Sequence, residues 1–260
     1  MRQHRTGRRW YGWLALLGIF SLSGCNRDFA ADEVQIFAAS SLTDAFRELG
    51  ASFEEAHGIR PRLTFAGSQV LRLQIEQGAP ADVYASADPG HMRALVGTGL
   101  AYEPVVFAGN RLALIVPADN PDSLRTLSDL VRTERLVVGS TGVPIGRYTR
   151  RLLEHADTVF GEGFGARVLQ RVVSEETNVR LIRAKVQLGE ASAAFVYESD
   201  VTNASGVVAL PLPAEVGVEA VYQTSAMSSG DNPRGAELWV AWITSDAGAA
   251  VLRRHGFLLP

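Results

Sequence analysis

Several predicted helices of this chain begin with groups that could donate hydrogen bonds to an anion. Ser41 and Ser68 each stand between a predicted strand and the helix that follows it, and Ile145 and Val179 open two later helices. The first amides of a helix have no acceptor within the helix and carry a partial positive charge. In open α/β sheets, such helix starts meet beyond the carboxyl ends of the strands. The pattern therefore predicts an anion-binding site that requires no lysine or arginine.

Each of these residues also has a simpler interpretation. A serine at the start of a helix is most often an N-cap that bonds to its own helix. Tyr197, which follows the apolar segment Ala194–Val196, would ordinarily be a core tyrosine whose hydroxyl has a partner. Only the joint occurrence of these residues favours a binding site over a set of caps and core side chains.

Catalytic chemistry has little support in the sequence. The histidines beyond the N-terminal segment stand near predicted helix ends beside charged neighbours, which predicts surface positions for His57, His91, His155 and His255. Ser68 lacks the final glycine of a Gly-x-Ser-x-Gly nucleophile turn. Neither a His-Glu-x-x-His motif nor a glycine-rich phosphate loop occurs. The paired acids Glu54-Glu55 and Glu175-Glu176 are most simply helix-surface charge, so we predict a protein that is not an enzyme.

The first 25 residues have the organisation of an export signal. Four arginines precede an apolar segment from Trp10 to Leu22, and small residues lead to Cys25. The tetrad Leu22-Ser23-Gly24-Cys25 resembles the lipobox of bacterial lipoproteins, in which the cysteine is acylated. We predict a signal peptide at 1–24, a lipidated Cys25 and a polar tether at 25–32; an incidental cysteine in a cleaved segment is the alternative. Cys25 is the only cysteine, which excludes an intrachain disulfide and a thiolate metal site.

The composition is that of an ordinary globular protein. Of the 260 residues, 47% are hydrophobic and 20% charged, and the formal net charge is −3. No basic run follows the N-terminal segment, which argues against a nucleic-acid partner. A chain of this charge that binds an anion must use local, directed groups rather than its overall field.

Strand and helix patterns alternate along the chain, which predicts parallel sheets with helices on both faces. We predict two α/β lobes, one from 33–108 with 225–260 and the other from 109–224. The connections between them would cross near Val106–Leu112 and Val221–Ala226. Two local predictions are a capping-box start at Ser41–Asp44 and a helix at Ser123–Val131.

The same residues carry a resemblance to the molybdate-binding components of bacterial molybdate importers. It extends from Val34 to Phe257 and includes six internal segments: Phe37–Ala45, Phe65–Ser68, Gln74–Val83, Ser86–Asp88, Val143–Tyr148 and Val196–Asp200. The Gly-Ala-Pro-Ala-Asp-Val block at 78–83 and the Val-Tyr-Glu-Ser-Asp block at 196–200 are specific together, although each alone is weak.

The resemblance implies a two-lobed periplasmic-binding-protein fold of type II that binds an oxyanion in the interlobe cleft. It also implies a molybdate or tungstate ligand, no cofactor, and a permease with its ATPase as partners. The protein would be a monomer, exported to the cell envelope and anchored by lipid. Carried over by position, the ligand groups are the hydroxyls of Ser41, Ser68 and Tyr197 and the backbone of Ile145 and Val179.

Two residues depart from the family pattern and bear on selectivity. Gly67 stands where a serine is common in the family, and Ile145 stands where a smaller residue is often found. A backbone contact survives a change of side chain, but a bulky neighbour could reshape the cavity.

The implied ligand agrees with a site made of donors. Molybdate and tungstate are fully ionised near neutral pH, whereas phosphate carries a proton that would face another donor, at a cost of about 1–3 kcal/mol. Sulfate offers the same acceptors and can be rejected only by size. Three alternatives stay open: a binding protein for another oxyanion such as sulfate, a serine hydrolase-like envelope enzyme, and a structural lipoprotein without a ligand.

Overall fold

The computed structural model describes residues 32–202 and 204–260. The predicted signal peptide, the lipidation site Cys25 and all but the last residue of the tether lie outside these ranges. Within them, no helix is long and apolar enough to cross a membrane.

Strands and helices alternate through most of the described chain. The strands are β1 Glu33–Ala39, β2 Arg60–Ala66, β3 Val83–Ser86, β4 Val105–Pro117, β5 Leu136–Gly139, β6 Val172–Glu176, β7 Ala193–Tyr197, β8 Val207–Leu210 and β9 Glu219–Ala226. The helices are α1 Thr43–His57, α2 Ser68–Glu76, α3 Pro89–Gly97, α4 Pro144–Phe160, α5 Phe164–Leu169, α6 Val179–Gln187, α7 Glu198–Val201, α8 Pro233–Ile243 and α9 Asp246–Arg254. Short 3₁₀ helices lie at Ser40–Leu42, Leu127–Arg132 and Ala214–Val216.

The strands form one mixed sheet in the order β2-β1-β3-β9-β4-β7-β5-β6, with β8 also paired to β4. Strands β2, β1 and β3 are parallel and form what we call the first half-sheet. Strands β7, β5 and β6 are also parallel and form the second half-sheet. Between them, β4 and β9 pair antiparallel from Val105↔Thr224 to Arg111↔Glu219. The predicted α/β organisation, with mostly parallel strands and flanking helices, is confirmed.

Aromatic packing fixes the helices of the first half-sheet. In α1, Phe46, Leu49 and Phe53 recur at the spacing of one helix face and are fully buried. The ring of Trp239 in α8 meets Phe46 and Phe53 edge-on at centroid distances of 5.4 and 5.2 Å. This packing ties α8, near the C-terminus of the chain, to the first helix.

The predicted helix Ser123–Val131 does not form as an α-helix, and only the 3₁₀ helix Leu127–Arg132 is present. Asn120 and Ser123 adopt positive φ angles of 42° and 52°. The Asn120 side chain also bonds to both the N–H and the carbonyl of Leu124. Local side-chain bonding therefore competes with the helix at its predicted start.

The interpretation of Glu175 and Glu176 as helix-surface charge is wrong, because both lie in β6. Glu175 pairs with Arg150 at 2.7 Å, and Glu176 pairs with Lys185 at 2.5 Å. Helix α5, strand β6 and helix α7 were absent from the sequence-based organisation; all three are six residues or shorter.

Candidate anion-binding site

The five predicted site residues line a single cavity. It is bordered by Ser41, Ser68, Ile145, Val179 and Tyr197, each of which is buried. The rest of the lining is small or uncharged: Ala39, Ser40, Gly67, Ala87, Val143, Pro144 and Asn178. Among the described residues, no charged side chain lines this cavity.

Four helical segments begin at the cavity. The 3₁₀ helix Ser40–Leu42 runs into α1, and α2, α4 and α6 begin at Ser68, Pro144 and Val179. The segments that lead into α1 and α2 follow the parallel strands β1 and β2, and α4 follows β5. Because the first amides of a helix lack acceptors within it, these starts surround the cavity with donors and positive helix ends.

The two serines do not cap their helices. The N-cap positions of α1 and α2 are Leu42 and Gly67, and neither helix has a side-chain cap. The capping box predicted at Ser41–Asp44 is therefore wrong: the Thr43 hydroxyl donates instead to the carbonyl of Ser40 at 2.6 Å. Both serine hydroxyls are therefore available to partners outside their own helices.

Ser68 is positioned by strand β3 and the residue that follows it. The amide of Ala87 donates to Ser68 Oγ at 3.1 Å, and the Tyr84 hydroxyl donates to the Ser68 carbonyl at 2.8 Å. Because Ser68 Oγ accepts a bond from Ala87, its own proton is available to an acceptor in the cavity.

Ser41 has a partner that the sequence did not indicate. Its Oγ lies 2.9 Å from the hydroxyl of Tyr222, which is 181 residues away in β9. Tyr222 is fully buried and lies behind the cavity wall rather than in the lining. An aromatic residue within a predicted strand carries no local signal of this role, since it is the strand order β1-β3-β9 that brings Tyr222 near Ser41.

Tyr197 presents an unpaired polar group. Its hydroxyl is buried and has no hydrogen-bond partner among the described residues. Leaving such a group unsatisfied costs about 1–3 kcal/mol, so a buried orphan hydroxyl requires an explanation. Burial raises the pKa of Tyr197 well above its ordinary value, so at neutral pH the hydroxyl keeps its proton and can donate.

A buried carboxyl supports the Tyr197 backbone. Asp200 Oδ2 accepts from the Tyr197 amide at 3.2 Å. Burial raises the pKa of Asp200 to about 7, although the amide and the nearby guanidinium of Arg183 oppose that shift. The bond connects the end of β7 to the start of α7.

Ile145 is accommodated by a glycine of the neighbouring strand. A Cβ on Gly139 of β5 would lie 2.9 Å from Ile145 Cγ2. The isoleucine side chain therefore occupies space that only glycine leaves open beside the start of α4. This contact directs at least one branch of the larger side chain toward the sheet.

Direct contacts cross the cleft around the cavity, and we call these the cross-cleft contacts. They are the ion pairs Arg180–Asp44 and Arg147–Asp88 (2.5 Å) and the hydrogen bonds Gln69 Nε2 to Thr177 O (2.7 Å) and His91 Nε2 to Gly142 O (3.0 Å). Each contact joins a segment that packs on the first half-sheet to one that packs on the second.

The surface position predicted for His91 is wrong, because this side chain is only 6% exposed. Burial and the charge of Arg147 lower the pKa of His91. His91 does lie near a helix end, as predicted, but that end of α3 lies inside the cleft.

The cavity lies between two half-sheets and is surrounded by hydroxyls and helix starts. No charged side chain among the described residues lines it. These features define a binding protein for a small anion. The comparisons agree with this class. Residues 34–258 match the family model of the bacterial extracellular solute-binding proteins, and the chain belongs to that family.

Named relatives are more specific. The molybdate-binding protein ModA of Mycobacterium tuberculosis is 36% identical over 234 residues, which are 88% of this chain and 86% of the relative. A putative ABC transporter substrate-binding lipoprotein of Bacillus subtilis, YvgL, is 24% identical over 94% of this chain and 95% of its own. Among solved structures, the periplasmic molybdate-binding protein of Azotobacter vinelandii superposes with a TM-score of 0.74 at 19% identity, covering 87% of this chain and 99% of that one. The predicted periplasmic-binding-protein fold is thereby confirmed.

Proposed function

We propose that this protein captures molybdate or tungstate in the cavity between its half-sheets and delivers it to the permease of an ABC importer. The unpaired Tyr197 hydroxyl carries the proposal, because it is a buried donor that borders the same cavity as the other four predicted site residues. The molybdate-binding relatives support the ligand.

The ligand groups in this proposal are the hydroxyls of Ser41, Ser68 and Tyr197 and the amides of Ile145 and Val179. Charge-assisted hydrogen bonds contribute about 1.5–3 kcal/mol each. After desolvation and closure, five such bonds are compatible with nanomolar to micromolar affinity, or about −8 to −12 kcal/mol. All five groups donate, which matches an anion without a proton.

The proposed lobes are 33–108 with 225–260 and 109–224, so that the paired segments of β4 and β9 connect them. Closure would bring the donors of both lobes to one ion. The protein would act as a monomer without a cofactor, as the resemblance implies. No histidine or acid lines the cavity among the described residues, so the lining offers no general base for catalysis.

Titration calorimetry of the mature chain tests this function. Molybdate and tungstate should bind most tightly, sulfate more weakly and phosphate weakest. Tightest binding of sulfate would replace the proposed ligand, and no heat with any of these oxyanions would contradict an oxyanion-binding role.

The serine hydroxyls should contribute to molybdate affinity, which a hydroxyl that only caps a helix does not. Ser41→Ala and Ser68→Ala are each expected to weaken molybdate binding by about 1–2 kcal/mol, because a donor to the ion is lost. Ser245→Ala is the matched control: Ser245 caps α9 through the Gly248 amide at 3.2 Å. It should lower stability by about 1 kcal/mol and leave affinity unchanged. The reverse pattern would identify Ser41 and Ser68 as structural residues.

We also propose that the exported protein is anchored by a lipid on Cys25. The Leu-Ser-Gly-Cys tetrad and the lipoprotein named among the relatives support this. Cys25→Ala should abolish lipid labelling and move the protein out of the membrane fraction or leave the precursor uncleaved. Asn26→Ala, next to the site, is the control and should stay membrane-bound. Normal processing and fractionation of Cys25→Ala would refute the anchor.

A further inference from the structure

Tyr222 is held rigidly behind the cavity wall. Its ring lies between Phe107, Tyr197 and Phe257, with centroid distances of 6.2, 5.9 and 5.4 Å and interplanar angles of 68–88°. This edge-on packing leaves the ring no freedom to turn its hydroxyl away. The hydroxyl lies 2.9 Å from Ser41 Oγ, so Tyr222 contacts the cavity lining through its ring at Tyr197 and through its hydroxyl at Ser41.

The surroundings of the two hydroxyls decide which oxygen donates. The Tyr222 hydroxyl is fully buried, and Ser41 Oγ is its only hydrogen-bond partner among the described residues. If Ser41 donated to Tyr222, the phenolic proton would have no acceptor, at a cost of about 1–3 kcal/mol. Ser41 borders the cavity and can place its own proton there, so Tyr222 is the donor. Burial raises the pKa of Tyr222 well above its ordinary value, so this proton is not lost near neutral pH.

The direction of this bond determines what Ser41 can do. A hydroxyl has one proton to donate, and Ser41 Oγ already accepts from Tyr222. Its own proton must therefore point elsewhere, and Ser41 borders the cavity. Without Tyr222, the serine could rotate and accept a proton from the ligand instead.

We propose that Tyr222 is a positioning residue that fixes Ser41 as a donor to the bound oxyanion and thereby sets the preference for anions that carry no proton. The inference rests on the proposed function, because it assigns a selectivity determinant to the same site. It distinguishes two tetrahedral anions of similar size: sulfate, which is fully ionised at neutral pH, and phosphate, which is not.

Tyr222→Phe keeps the ring and removes only the hydroxyl. Molybdate affinity should fall about tenfold, because Ser41 is no longer oriented. In competition against molybdate, the ratio of phosphate affinity to sulfate affinity should rise by at least about fivefold, since Ser41 can now accept the phosphate proton. In a Ser41→Ala background, Tyr222→Phe should change neither molybdate affinity nor the phosphate-to-sulfate ratio.

Tyr148→Phe is the matched control. Tyr148 is also buried, and its hydroxyl accepts from the amide of Val221 on the same strand β9 at 3.3 Å, away from Ser41. Its phosphate-to-sulfate ratio should equal that of the wild type. A general loosening of the wall by Tyr222→Phe would instead weaken phosphate and sulfate by the same factor.

The outcomes separate this inference from the proposed function. If the wild type binds no molybdate, the proposed function fails. If the wild type binds molybdate but Tyr222→Phe leaves the ratio unchanged or phosphate binding undetectable, only the role of Tyr222 is overturned. That role would also be overturned if Tyr222→Phe changed the phosphate-to-sulfate ratio equally in the wild type and in the Ser41→Ala background.

Discussion

Gly67→Ala is expected to weaken molybdate binding by about 1–3 kcal/mol while leaving the stability of the ligand-free protein unchanged. A Cβ on Gly67 would lie 2.3 Å from the carbonyl oxygen of Thr177 on the opposite side of the cleft. That oxygen belongs to the backbone and also accepts the cross-cleft bond from Gln69, so it cannot move cheaply. Gly67 itself has φ −63° and ψ 141°, which alanine adopts without strain. The Cβ would also lie 2.6 Å from the Gln69 side chain, which is flexible and can move away. The contact that cannot be relieved is the one with Thr177, so the main cost falls on closure.

Gly97→Ala is the matched control for this prediction, because a Cβ there meets nothing within 4 Å. Calorimetry should show wild-type affinity for Gly97→Ala and a loss for Gly67→Ala. Small-angle scattering with saturating molybdate should show a more open Gly67→Ala protein. Equal affinities and equal compaction would mean that the approach of Gly67 to Thr177 does not limit closure.

The position of Gly67 also bears on the family resemblance. A serine, common there in the resembling family, would require the two sides of this cleft to stay further apart. Because this chain has glycine in place of that serine, it can bring α2 closer to the segment before α6.

Tyr197→Phe is expected to weaken molybdate binding by about 1.5–3 kcal/mol, mainly through faster release. The change removes one buried donor and keeps the ring that packs against Tyr222 at 5.9 Å. The ligand-free protein should not lose stability, because the hydroxyl has no protein partner to forfeit among the described residues. Loss of binding without loss of stability distinguishes a ligand group from a core residue.

Stopped-flow displacement of molybdate by excess tungstate measures the release rate directly. Tyr148→Phe again serves as the control, since it removes a buried tyrosine hydroxyl that bonds to the Val221 amide and does not line the cavity. An unchanged release rate for Tyr197→Phe, or an equal change in both variants, would exclude Tyr197 as a ligand group.

The helix starts could be predicted because their signals are local. Pro144 and Asn178 precede Ile145 and Val179, the predicted helix openings, and α4 and α6 begin within one residue of those positions. The strands that precede α1, α2 and α4 are seven residues or shorter, so the edge at which those helices begin followed from the topology of parallel strands. Together with the resemblance, this was enough to name five residues that all line the cavity.

The features that could not be predicted depend on distant parts of the chain. His91 and Tyr222 are buried by segments 51 and 181 residues away from them, at Gly142 and Ser41. The helix expected at Ser123 has suitable composition but competes with the Asn120 side-chain bonds to Leu124. Periodicity describes a residue's own element, whereas these outcomes depend on what packs against that element.

A site of neutral donors has a consequence for unloading. No counterion within the cavity lining has to be displaced when the ion leaves, since no charged side chain lines the described cavity. Hydrogen bonds weaken steeply once donor and acceptor separate beyond about 3.5 Å. For a protein that binds in this way, pulling the two sides apart by little more than an ångström lets water replace the donors of one side. A transporter could then empty it by mechanical work on the two proposed lobes, with no proton, exchanged ion or chemical step.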